Sequence, residues 1–132
     1  MLLHKTVEHD ARVRREAGAL AEAGHEVVIV HLPRGADPPP SADSEGYELR
    51  SGDPPPWSER LPGGARRALA AARIARVAAG VRPDVVHAHD AAMLAPGWLV
   101  ARRTGAGLVY DSHELATGVP YHSRAWYRLV ST

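Results

Sequence analysis

Four consecutive β-branched residues, Val27-Val28-Ile29-Val30, constrain this chain more than any other feature. They show no polar alternation, so a strand made from them has to be covered on both faces, the condition of a parallel sheet flanked by helices. What precedes them agrees. Asp10 stands where a capping carboxylate would, and Val13, Ala17, Leu20 and Ala21 follow at helical spacing with charged residues between them. Gly24 then supplies the residue that can turn left-handed and stop a helix. Helix, glycine and buried strand make half of a crossover unit.

The rest of the chain repeats that logic. Residues 33–43 and 52–56 are dense in proline, which resists both helix and central strand. Between them Tyr47-Glu48-Leu49-Arg50 predicts a short strand. Residues 62–79 are rich in alanine and arginine and predict a helix, with Leu69, Ile74 and Val77 on one broad face into which Arg73 falls. Asp84 to His89 predicts a strand. Pro96 suits a first helical turn, so the next helix is expected from about Ala95 to Arg103. Gly105 and Gly107 break it, and Leu108-Val109-Tyr110 predicts another buried strand. Residues 121–132, with Trp126, Tyr127, Leu129 and Val130, predict the start of a last helix. Strands alternating with helices imply right-handed crossovers in a parallel sheet. The fold class is α/β, a Rossmann-like three-layer sandwich with a mostly parallel sheet, spanning residues 1–132 as one domain. Leu2-Leu3-His4 starts the first strand abruptly and nothing closes the other end, so the chain reads as a fragment of something longer.

Composition removes several functions. Sixteen Lys and Arg against fifteen Asp and Glu leave a net charge of +1, without the basic excess that nucleic acid requires. The absence of cysteine excludes disulfide scaffolds, cysteine nucleophiles and thiolate metal sites. Arg73, Arg76, Arg102 and Arg103 cut the apolar stretches well below the roughly 20 residues of a spanning helix. The first residues lack a secretory pattern, so a soluble cytoplasmic domain is the expectation. No serine sits in a Gly-x-Ser-x-Gly elbow. Gly63-Gly64 runs into Ala65-Arg66 rather than the lysine of a phosphate loop, and there is neither a Gly-x-Gly-x-x-Gly nor an Asp-x-Asp. No cofactor is expected.

Ligands of open α/β sheets bind beyond the carboxyl ends of the strands. That rule selects Glu8-His9-Asp10, His87-Ala88-His89-Asp90 and Asp111-Ser112-His113-Glu114, all expected on one edge. His87 and His89 share a strand face, a geometry metals can use with a third ligand from His113 or Asp111. Asp90 misses a His-x-His-x-Asp spacing by one position, and no metal is expected. What remains is a cleft of imidazoles and carboxylates suited to a hydroxyl-rich ligand, with His113 able to donate or accept and Asp90, Asp111 and Glu114 able to accept. The plainer alternative stands beside it: Asp90 and Asp111 capping turns, and His87 a satisfied strand histidine.

Three segments carry a family likeness: residues 10–27 with Asp10-Ala-Arg-Val-Arg-Arg-Glu-Ala17, then Arg82-Pro-Asp-Val-Val-His-Ala-His-Asp90, then Leu108-Val-Tyr-Asp-Ser-His-Glu-Leu115. In order and spacing the chain resembles the N-terminal domain of glycosyltransferase family 4, one half of a GT-B fold. The resemblance implies transfer of a sugar from a nucleotide-sugar co-substrate to an acceptor, with retained anomeric configuration and no obligatory metal. It implies that this half recognises the acceptor, a small molecule, lipid or glycan, while a C-terminal domain outside these residues holds the donor. It places His113 at the catalytic position facing the donor sugar and Asp10 and Arg12 in the loop-to-helix segment lining the cleft, while the strand-end rule adds His89, Asp90, Asp111 and Glu114 as substrate-binding candidates. Glu114 supports the loop holding His113. Arg12 also fits a helix-surface or a buried structural role. Residues 6–10 replace the glycine-rich turn many relatives carry, and the isolated chain is expected to be inactive.

Two other readings remain. One is a non-catalytic module that uses the same edge to bind a glycan or partner, and the other a metal-dependent hydrolase built on His87, His89 and His113. Arg66, Arg67, Arg73 and Arg76 could meet anionic lipid headgroups, giving peripheral membrane contact, or simply solvate a helix face.

Overall fold

The computed structural model describes residues 1–7, 10–32 and 46–112. Helix α1 spans Ala11–Glu22, β1 Val28–His31, β2 Glu48–Ser51, α2 Gly63–Val81, β3 Val85–His89, α3 Ala91–Thr104 and β4 Gly107–Asp111. A 3-10 stretch, Pro56–Arg60, precedes α2. β1 pairs with β2 and β3 with β4, both in parallel. Residues 1–3 join the two pairs. Leu2 bridges Val30 on one side and Ala88 on the other, again in parallel, through bonds from Leu2 N–H to the His87 carbonyl at 2.8 Å and from His89 N–H to the Leu2 carbonyl at 3.1 Å. The order across the sheet is therefore β2, β1, residues 1–3, β3, β4. The abrupt opening tripeptide is its centre.

Each face of this sheet carries its own core. α1 lies on one side, where Val13 and Ala17 pack with Leu3, Val7, Val27, Ile29 and Tyr47. α2 and α3 lie on the other, burying Ile74, Ala78, Met93 and Val100 against Leu2, Val28, Val30, Val86 and Ala88. Adjacent residues Leu2 and Leu3 point to opposite layers, as do Val27 and Val28, because side chains alternate along a strand. This is why the run Val27–Val30 needs no polar residue: all four of its positions are buried. Burial of each such aliphatic side chain contributes about 1.5–3 kcal/mol.

The expected boundaries mostly hold, and four departures have physical reasons. α3 begins at Ala91, directly after β3, and not near Ala95, so Pro96 sits inside it. Proline there removes one backbone bond, but its ring is buried, and the neighbouring Gly97 brings the helix close to the sheet. A methyl group added at Gly97 would stand 3.1 Å from the Ala88 Cβ and 3.2 Å from a Leu108 methyl. β4 is a strand but not a buried one: Val109 and Tyr110, which point to opposite faces, are both exposed, and on the Val109 face α1 packs over residues 1–3 and β1 instead. The buried stripe of α2 is Ala70, Ile74 and Ala78, at i, i+4 and i+8, which leaves Arg73 outside it and exposed along with Arg66, Arg67 and Arg76. The 3-10 stretch falls where only irregular chain and the approach to α2 were expected. The last expected helix, over residues 121–132, and the proline-rich segment 33–43 lie outside the described residues, as do Glu8, His9, His113 and Glu114. Among the described residues no helix is long and apolar enough to cross a membrane.

Candidate functional site

All four strands and the central segment run the same way, so their carboxyl ends form one rim, where four of the expected residues meet. Asp10 caps α1: its Oδ1 accepts from the Val13 amide at 3.2 Å, while its Oδ2 stands 3.3 Å from the Lys5 ammonium. Arg12, in the first turn of the same helix, reaches 3.9 Å from Asp10 Oδ2 and donates from Nη1 to Asp111 Oδ2 at the end of β4. It is neither a plain surface arginine nor a buried one. About one-third exposed, it spans the rim and ties the start of α1 to β4.

Asp90 ends β3 and begins α3, yet its carboxylate does not cap the helix. It lies 3.0 Å from His4 Nδ1, while its backbone N–H donates to the Asp111 carbonyl at 3.3 Å. Its φ of 69° is left-handed, a conformation that costs a non-glycine residue about 1–3 kcal/mol. Strain of this kind concentrates at functional positions.

His89 is the most enclosed member. Its side chain is 0% exposed and its Nδ1 is 3.5 Å from Asp111 Oδ2. Neither ring nitrogen has a hydrogen-bond partner among the described residues. His89 therefore reaches the rim only from behind, through Asp111. Burial above all, and then the positive charge of neighbouring groups and His87, pushes its pKa down to about 4, so the ring is neutral at pH 7. Burial also works to raise the Asp10 pKa, but the Val13 amide, Lys5 and Arg12 outweigh it and hold that carboxyl below its usual value.

Sequence reasoning missed three contributors. His4 and Lys5 follow the central segment directly; the strand-end rule passed over them because it placed the end of that strand at Glu8-His9-Asp10, whereas the paired segment already ends at Leu3. Glu16 is different. It projects from the second turn of α1 onto β3, with Oε1 3.0 Å from His87 Nδ1. The His87 and His89 rings lie on one face as expected, with centroids 4.2 Å apart. Glu16, His87 and His89 bring one donor atom each within 4.8 Å of one another. Among the described residues this is the one grouping of three such donors, and its third member is Glu16 rather than Asp111, while His113 lies outside the described residues. Two imidazoles and a carboxylate are ligands that zinc and its neighbours accept. Burial lowers the His87 pKa, against the pull of Glu16, with the N-terminal ammonium and Arg12 adding to the fall.

The rim thus brings the carboxylates of Asp10, Asp90 and Asp111 together with the Lys5 and Arg12 cations, with the His4 ring beside Asp90. An array of fixed charges of both signs can hold several hydroxyl groups at once, each as donor or acceptor. It offers no neutral-pH proton carrier of its own in His89. No curated protein matches the chain. A family model described as a glycosyl transferase 4-like domain matches residues 9–132.

Proposed function

The chain belongs to the glycosyltransferase 4-like domain family, and from that premise we propose that it is the acceptor-side half of a retaining transferase that moves a sugar from a nucleotide-sugar donor to an acceptor. The observation that carries this reading is the Arg12–Asp111 bridge across the rim, with His89 packed behind it. Rigid, mutually oriented charges suit an acceptor whose hydroxyls have to be held at fixed angles, because each polar group left unpaired on binding costs about 1–3 kcal/mol. In this reading Asp10, Asp90 and Asp111 accept from hydroxyls and Arg12 donates. His89 positions Asp111 without touching the sugar. His113, two residues beyond Asp111 in the sequence, meets the donor sugar, with Glu114 supporting it. No metal takes part, the domain works in the cytoplasm, and the exposed α2 arginines leave it free to approach a membrane that presents a lipid acceptor.

The donor's nucleotide requires a second domain facing this rim. The 132-residue chain by itself is therefore expected to transfer no sugar and to hydrolyse no nucleotide sugar. The test is to incubate purified chain with uridine, guanosine and adenosine diphosphate sugars and simple sugar acceptors, following nucleotide release. Sustained turnover would overturn the division of labour proposed here.

A further inference from the structure

Under α1, set back from the rim, the sheet face carries a second group of polar side chains. Side chains alternate along β3. Val86 and Ala88 turn toward α2 and α3, so His87 and His89 turn the other way, with ring centroids 4.2 Å apart. α1 lies over this face along residues 1–3 and β1, where its Val13 and Ala17 pack with Leu3 and Ile29. Glu16 stands next to Ala17 on the flank of the helix turned to β3, and its Oε1 comes 3.0 Å from His87 Nδ1. One donor atom from each of the three lies within 4.8 Å of the others.

The ring nitrogens here are short of partners. His87 Nε2 and both nitrogens of His89 are buried without a hydrogen bond among the described residues, and the His89 side chain is 0% exposed. A buried polar group left unpaired costs about 1–3 kcal/mol. A packing role for the two rings leaves that cost standing, whereas a cation that accepts imidazole lone pairs removes it. A ligating imidazole commonly passes its other N–H to a carboxylate, and His89 Nδ1 lies 3.5 Å from Asp111 Oδ2. Val109, level with His87 on the same face, is apolar and offers no competing donor.

We infer that Glu16, His87 and His89 form a binding site for a divalent transition-metal ion of the zinc class, which joins α1 to β3. Two nitrogen donors and one oxygen select such an ion over magnesium and calcium, which take shells of oxygen. The site is exchangeable. Three protein ligands leave a coordination position to water, Glu16 is 35% exposed, and the Arg12 cation acts on both rings. The ion is therefore taken up and released with its free concentration. It stands outside sugar transfer and acts on the structure: it fixes the flank of α1 and the His89 ring behind Asp111, the carboxylate that Arg12 bridges. The inference holds whether or not the rim binds sugar.

The test titrates zinc into the metal-free chain, with magnesium as the comparison ion. One zinc per chain is expected to bind with a Kd of about 10 μM or tighter, and magnesium is expected not to bind. Zinc at about 100 times its Kd should raise Tm by about 5 °C or more. Cobalt in place of zinc should perturb the ring proton signals of His87 and His89 before those of the other histidines. Glu16→Gln, at a partly exposed helix position, should keep the fold and weaken zinc binding about tenfold or more. His87→Gln should weaken it likewise, and His25→Gln, an exposed position outside the group, should leave it unchanged. If His87→Gln does not fold, Glu16→Gln and the cobalt spectra decide. Equal zinc binding by the parent and Glu16→Gln would place the ion on surface imidazoles only and overturn the inference. So would the absence of one-to-one binding at about 100 μM zinc, or His87 and His89 signals that cobalt leaves untouched.

Discussion

Acidification below pH 6.5 should destabilise the fold through His89. The ring is fully buried, with His87 stacked beside it, Asp111 at 3.5 Å, and Arg12, Asp10 and the Met1 ammonium as the other charges acting on it. Its pKa drops from 6.5 to about 4. The unfolded chain therefore takes up a proton near pH 6.5 while the folded chain does not until about pH 4. The sign follows: nothing is lost above pH 6.5, stability falls as the pH drops through that window, and the loss is complete below pH 4. At about 1.36 kcal/mol per pKa unit the full effect is about 3 kcal/mol, of which about 2 kcal/mol appears between pH 6.5 and 5. His87, also lowered, adds in the same direction, so the measurement has to be a difference. Urea unfolding of the parent and of His89→Leu at pH 7, 6 and 5 supplies it, with the parent expected to lose about 2 kcal/mol more than the variant across that range. Proton NMR of the His89 ring gives the same answer directly. A His89 midpoint near 6.5, or parallel losses in the two proteins, would refute the burial argument and with it the placement of His89 behind Asp111.

Gly97→Val should destabilise the chain by about 1–3 kcal/mol, because its side chain meets the Ala88 methyl on a strand that cannot move away; thermal melting checks this, and an unchanged Tm would contradict the close approach of α3. Dialysis against a chelator is expected to leave Tm where it was. A fall of several degrees, restored by zinc, would instead assign Glu16, His87 and His89 to a resident metal ion.

How much of this was legible depends on how far each interaction reaches along the chain. The Asp10 cap, α1, the Gly24 stop (φ 89°) and the buried β1 were readable because capping, periodicity and β-branching act within a few residues. The parallel sheet followed from alternation of such elements. The start of α3 was not readable. A rule about Pro96 weighs one lost backbone bond, whereas the outcome is set by the burial of its ring beside Gly97. The exposure of β4 was hidden because a hydrophobic run does not say which helix covers it. Within the rim, Asp90 and Asp111 came from the strand-end rule, and Asp10 from that rule together with its helix-capping position. Arg12 gained its role only across 99 residues, through Asp111, and Glu16 gained its own by facing His87 from another layer. Contacts between distant elements carry no local signal in a single sequence.

The central claim is that the carboxyl-end rim holds the hydroxyls of an acceptor sugar. Amide NMR spectra of the isotope-labelled chain, titrated with the methyl glycosides of glucose, mannose and galactose, test it most directly. The account predicts saturable shifts at Arg12, Asp90, Asp111 and Ser112 with at least one glycoside, abolished in Asp111→Ala. Shifts confined to the far end of the sheet around Arg82 and Val85, rim shifts that persist in Asp111→Ala, or no rim shift with any of the sugars would contradict it.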